Sequence, residues 1–198
     1  MTKNKNLPLE PLIWPCGEEN MGGHTSRVAI IPACIVKTAP QLIAKADVVE
    51  SEDLATATGA FVFKDVSQKP TIVEATDKTV GYNAESQGED GGKSFAITST
   101  YFFPGSLTKT SAHARQVANT PCYVIIEDFN GDQILIGQPG MLASIAPSYA
   151  GGQARTDRKG TTFNVTADSI APYIKLETPI DFDALMDESD EEGTGEGE

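Results

Sequence analysis

Two apolar runs, residues 122–126 and 134–136, flank the tetrapeptide Asp128-Phe129-Asn130-Gly131. Asn-Gly between β-rich runs is the strongest short-range hairpin signal, because both residues tolerate positive φ. The pattern predicts strands over 122–127 and 133–136 with Asn130-Gly131 at the tip. Gly137 stops the second run, and the Gly/Ala/Ser-rich segment 138–156 reads as a loop. Asp157-Arg158-Lys159-Gly160 then leads into an alternating strand over 161–167.

The same reading extends upstream. Residues 26–36 form a β-branched apolar run. Pro32 removes a ladder donor there, which predicts an edge strand or a strand ending near it. Residues 37–58 read as a loop with a short helical turn. Phe61-Val62-Phe63 and Thr71-Ile72-Val73-Glu74 are short strands, and residues 79–86 extend the β region. Gln87-Gly88-Glu89-Asp90-Gly91-Gly92 is a turn before a long strand over 94–103, dense in Phe, Ile, Thr and Tyr. Within it, Tyr101 and Phe103 share one face and Phe102 takes the other, so both faces need cover. One helix is expected, over 108–118, capped by Thr108 or Thr110 and ended by Asn119 before Pro121. A last strand is expected at 173–176, between Pro172 and Pro179. Many short strands and a single helix favour an antiparallel β-sandwich or partial barrel with one flanking α-helix.

Charge divides the chain. The net charge is −13 over 198 residues, and residues 181–198 contain nine Asp/Glu and no Lys/Arg. The rest carries 15 basic and 19 acidic groups, so the body is only mildly acidic. Three regions follow: an extended arm over 1–26, a β-rich domain over 27–180, and an acidic tail over 181–198 expected to be disordered. Tight nucleic-acid binding needs clustered cations. The one basic concentration, Arg155, Arg158 and Lys159, lies in the predicted loop. No run of 18 apolar residues suggests a membrane span, and no apolar stretch after the basic start suggests a signal peptide. Cys16, Cys34 and Cys122 have no CxxC spacing and read as free thiols of a protein made in a reducing cytoplasm.

Candidate chemistry is sparse. His24 and His113 lie in different elements with no metal-ligand spacing, and both read as structural or surface histidines. Asp128-Phe129-Asn130-Gly131-Asp132 resembles the start of a calcium loop, but the twelfth position is Pro139 where a Glu is needed. The glycines at 137, 140, 151 and 152 precede no phosphate-loop Lys-Ser/Thr. Cys122 sits in an apolar strand, where a buried inert thiol is expected. No Gly-x-Ser-x-Gly and no triad is present. The chain is therefore expected to be no enzyme and to use no cofactor and no metal.

The arm itself is the remaining feature. Leu7, Leu9, Leu12, Ile13 and Trp14 stand among Pro8, Pro11 and Pro15 without a helical period. The prolines favour an extended conformation and lower the entropy lost on docking. The chain's own core or a neighbouring subunit must cover these residues. In the second case Leu12, Ile13 and Trp14 are the expected subunit interface, with Trp14 as anchor.

Several segments carry a resemblance. Cys16-Gly17-Glu18-Glu19-Asn20-Met21-Gly22-Gly23, followed by Arg27-Val28-Ala29-Ile30-Ile31-Pro32, is similar to the opening of virion proteins from phages and prophages of Bacteroides-like bacteria. Further similar segments are 87–95, Ala118-Asn119, 126–131 with Ile136-Gly137, and 157–163. The resemblance covers roughly residues 16–178 and leaves out the first 15 residues and the acidic tail. Such proteins are phage tail tube or related structural proteins. The resemblance implies a tail-tube fold in which six copies form a ring, inner strands close a barrel between subunits, and rings stack into a tube. It implies self-association, contact with other virion proteins, passage of genomic DNA without specific binding, and residence in the virion after synthesis in the host bacterial cytoplasm. Two alternatives remain: a head decoration or head–tail completion protein, and a carbohydrate- or protein-binding β-sandwich module.

Overall fold

The computed structural model describes residues 9–13, 16–17, 20–44 and 47–191, with the backbone alone for 187–191. In chain order the elements are β1 (His24–Pro32), a 3-10 turn (Ala33–Ile35), β2 (Val36–Thr38), β3 (Gln41–Leu42), a second 3-10 turn (Ser51–Ala55), β4 (Thr56–Thr58), β5 (Val62–Phe63) and β6 (Thr71–Glu74). There follow β7 (Gly81–Gln87), β8 (Ser94–Pro104), α1 (Thr108–Val117), β9 (Cys122–Asp128), β10 (Gln133–Ile136), β11 (Ser144–Ala150), β12 (Gly160–Ser169), β13 (Lys175–Leu176) and α2 (Phe182–Glu191).

The strands form a seven-stranded sheet in the order β3-β4-β13-β10-β9-β1-β6, a four-stranded sheet in the order β11-β12-β8-β7, and the small pair β2-β5. Every pairing is antiparallel except the short one between β13 and β4. The fold is mainly β, as expected, and no barrel closes within the chain. Two cores explain the layering. One face of the large sheet, with Val28, Ile30, Val124, Ile126 and Ile136, packs with Ile97, Tyr101, Ile145, Phe163 and Val165 of the small sheet. The opposite face, with Ala29, Ile31, Ala57, Tyr123, Ile125, Leu135 and Leu176, packs with Ala39, Ala171, Ile174 and Phe182. Strands buried on both faces read as unbroken apolar runs rather than alternating ones. That is why residues 122–126 and 134–136 carry no polar position.

The hairpin β9–β10 forms with Glu127 opposite Gln133. Its turn departs from the expected two-residue form. Gly131 alone adopts positive φ, at 86°, and Asn130 does not. The Gly131 N–H donates to the Asp128 carbonyl at 3.2 Å, and the Asp128 side chain accepts the N–H groups of Asn130 and Asp132, each at 2.9 Å. The carboxylate supplies the turn geometry that a second left-handed residue would otherwise provide.

β1 ends at Pro32, which is the second of the two expected outcomes there, and β6 and β9 flank it on either side. Other expectations change. Helix α1 begins at Thr108 with Leu107 at the cap position and no side-chain cap, so neither Thr108 nor Thr110 serves as one. The expected loop 138–156 contains β11, paired along its whole length with β12. Small residues alternate there with Ile145, Pro147 and Tyr149, and their lack of bulk concealed the strand. The acidic segment opens with helix α2, because Asp181 accepts the N–H groups of Asp183 and Ala184 at 3.0 Å each. Phe182 is buried in the second core, and the Gln133 side chain grips the Ile180 backbone through both its amide atoms. Residues 192–198 lie outside the described residues.

Candidate functional site

The four-stranded sheet has an unusual outer face. Its inward residues alternate into the core, so Asn83, Glu85, Thr98, Thr100, Asn164 and Thr166 point the other way. Register stacks them in rows: Asn83, Thr98 and Thr166 lie side by side, as do Thr100 and Asn164. Threonine is the polar residue that suits a pleated surface, since its β-branch favours the extended chain and its hydroxyl stays wet. β7, β8, β11 and β12 together hold two carboxylates, Glu85 and Asp168, and no Lys or Arg. Asp168 accepts a hydrogen bond from the Gln87 side-chain amide at 2.7 Å, and Asn83 donates to Glu85 at 3.0 Å. The strands' own side chains make this face polar and weakly acidic; the one cation seen against it among the described residues, Arg158 from the segment before β12, lies over Phe102.

The edges of this sheet are β7 and β11, each seven residues long. Neither pairs with a further strand among the described residues. Pro147 in β11 fits the edge, since a proline inside a sheet breaks a ladder bond. An open edge of this length is a template for another chain unless it is blunted. β7 carries no Pro and no Lys that would blunt it.

The classical chemical groups are engaged structurally. Asp132 pairs with Lys175, whose pKa is raised by that hydrogen bond. With the Asp128 carboxylate bonded into its turn, the acidic loop holds its own backbone. His113 stands edge-on to Phe163 with centroids 5.7 Å apart, and desolvation lowers its pKa. His24 faces Tyr82 at 6.2 Å, and its pKa falls because burial outweighs the pull of Asp128. The Cys122 thiol donates to the Thr120 carbonyl at 3.0 Å and is pushed up to about 11, chiefly by burial. Among the described residues no three His, Cys, Asp or Glu side chains gather as a metal site.

Of the expected interface residues, Leu12 is fully exposed and Ile13 is 79% exposed. Trp14 lies outside the described residues. Core packing within one copy therefore does not cover Leu12 or Ile13. The outer sheet face was not singled out from the sequence, although the alternation of Thr98 and Thr100 with Ile97, Ser99 and Tyr101 marks it. Comparison of the chain with protein-family models, with curated proteins and with solved structures finds no match.

Proposed function

We propose that the chain is a phage virion structural protein, a tail tube subunit that self-assembles into stacked rings around a DNA conduit. The observation that carries this reading is the four-stranded sheet with two open edges and a polar outer face whose strands hold no Lys or Arg. Joining β7 of one copy to β11 of the next pairs both edges and continues the sheet, apart from the one ladder donor that Pro147 lacks. Repeated around a ring, this heterologous contact closes a barrel and leaves the four-stranded sheet without an exposed edge. The Thr/Asn face then lines the bore. Its hydroxyls and amides are wetted, and its carboxylates repel the phosphate backbone, so DNA passes without sticking. No catalytic group is needed.

The test is size-exclusion chromatography with light scattering, followed by negative-stain microscopy across protein concentration. Six-fold rings or tubes support the reading. A stable monomer or trimer that decorates capsids marks a head component instead. A monomer that retains glycans or peptides on a surface groove marks a binding module.

A further inference from the structure

The helix α1 and the edge strand β11 enclose a groove of about 500 Å³, lined by Leu107, Ala114, Arg115, Ala118, Pro147 and Tyr149. Leu107 is 60% exposed and Tyr149 is 55% exposed, so the lining is apolar, aromatic and open. Arg115 has no carboxylate partner among the described residues.

The N-terminal arm has the complementary character. It reads Leu7-Pro8-Leu9-Glu10-Pro11-Leu12-Ile13, a P-x-x-P segment with one charge, and that charge is negative. Leu9 and Leu12 are fully exposed, and residues 9–13 belong to no helix or strand. Residues before proline are driven to extended geometry, and P-x-x-P segments dock preferentially in aromatic-lined grooves at low entropy cost. Dimensions agree: residues 9–13 in that conformation span roughly 12 Å at about 3.1 Å per residue. The helix from Leu107 to Ala118 runs about 16 Å at 1.5 Å per residue.

We infer that the N-terminal arm of one copy docks in the α1–β11 groove of another, with Leu9 and Leu12 in the apolar channel and Glu10 against Arg115. The occupant is a second copy because Leu9 and Leu12 stand free of their own chain, and because the groove flanks the open edge where a neighbour would join. This rests on the self-assembly reading above. It adds the strap that ties adjoining subunits together.

The experiment uses the full chain with p-benzoylphenylalanine in place of Leu12. Light and ¹⁵N-labelled copies are mixed, irradiated and digested for mass spectrometry. The expected products join the arm to residues 106–118 or 147–149, with mixed-isotope pairs as abundant as same-isotope pairs. Same-isotope pairs alone, products on another surface, or no products overturn the inference. A charge exchange provides the second arm. Glu10→Arg and Arg115→Glu should each lower the mixed products roughly 2- to 5-fold, the scale of an exposed ion pair, and the double exchange should restore them. Failure to restore overturns the Glu10–Arg115 pairing and with it the seating of the arm. Rings that persist without these products sink the strap alone. Mixed products from a chain that never forms rings sink the tube reading alone.

Discussion

The guanidinium of Arg158 lies over the ring of Phe102, 3.7 Å from its centroid. Phe102 is the aromatic side chain that β8 turns toward the outer face of the four-stranded sheet, yet it is only 7% exposed. Gly160 lies beneath it, and a Cβ at Gly160 would overlap the ring and the Phe103 carbonyl oxygen. The glycine lets the ring lie flat, and the arginine roofs it. The requirement for cover on both faces of Tyr101-Phe102-Phe103 is met by the core on one side and by a single cation on the other. Arg158→Ala should therefore cost about 1 kcal/mol, the upper end of the scale for a cation–π contact whose cation is exposed. It should also raise binding of a hydrophobic dye. Arg158→Lys should recover only part of the loss, since an ammonium does not stack. Denaturant melts of the three proteins check this; an unchanged alanine variant would show that the stack contributes nothing.

The three thiols should separate by reactivity. Cys16 and Cys34 are exposed, while Cys122 is fully buried in the first core. Its thiol is raised to about 11, by burial first and by nearby Cys34 second. The thiolate is the reactive form, so Cys122 is inert at pH 8. A thiol reagent should titrate two cysteines in the native protein and three in guanidinium. Rapid reaction of all three without denaturant would contradict the packing of β9.

Both histidines predict a loss of stability on mild acidification. Burial lowers His24 and His113 below the ordinary value of 6.5. The unfolded chain takes up these protons as pH falls through about 6.5, whereas the folded chain resists them. Stability is thus full above that value and declines as pH falls from 7.5 to 5.5. His113→Gln should flatten that slope, because a neutral amide does not titrate. Urea midpoints at several pH values provide the measurement, and an identical slope in the variant would remove His113 as its source.

Two glycines should respond differently. Gly131 has φ of 86° and open space around it, so Gly131→Val meets only the left-handed backbone penalty, roughly 1–2 kcal/mol. Gly137 has φ of 95°, and a Cβ there would approach the Ala143 nitrogen at 2.9 Å and the Cys122 carbonyl at 3.0 Å. Those two groups form the bridge between β9 and the segment leading into β11. Gly137→Ala, though a smaller change, should cost more than Gly131→Val and should broaden the unfolding transition. Thermal melts of the pair decide the order.

The contrast between these glycines shows what was legible in the sequence. The Asn-Gly pair announced its hairpin, and long apolar or alternating runs announced β8, β9, β10 and β12. Their partners were hidden, because pairing depends on which strand meets which across the core. β1 thus lies between β6 and β9, far from them in sequence. β11 was hidden because Ser144, Ala146 and Ser148 face outward and bring no bulk to the pattern. Helix α2 was hidden because its carboxylates suggest solvation, while the buried Phe182 and the Arg27–Asp183 ion pair tie its first turn to the body. The outer face of the small sheet is a property of four strands together, and no one segment reveals it.

That face makes the last prediction. Thr100 and Thr166 are exposed, lie on neighbouring strands and point outward without a role in the core. Thr100→Lys with Thr166→Lys should leave the fold and melting temperature nearly unchanged, since exposed strand positions accept polar replacement within about 0.5 kcal/mol. Assembly through the β7 and β11 edges should persist, because neither residue lies on those strands. What changes is the charge along the proposed bore. In each copy the two added lysines offset Glu85 and Asp168 and leave Arg158 in excess, and a ring of copies would present them as a closed belt. Rings or tubes of the variant should retain DNA at low salt and release it steeply as salt rises, as counterion release requires. Assemblies of the parent chain should not retain DNA at any ionic strength. Fluorescence anisotropy with a labelled duplex, in parallel with microscopy, measures both. If assembled variant and assembled parent both ignore DNA, this face does not line the conduit.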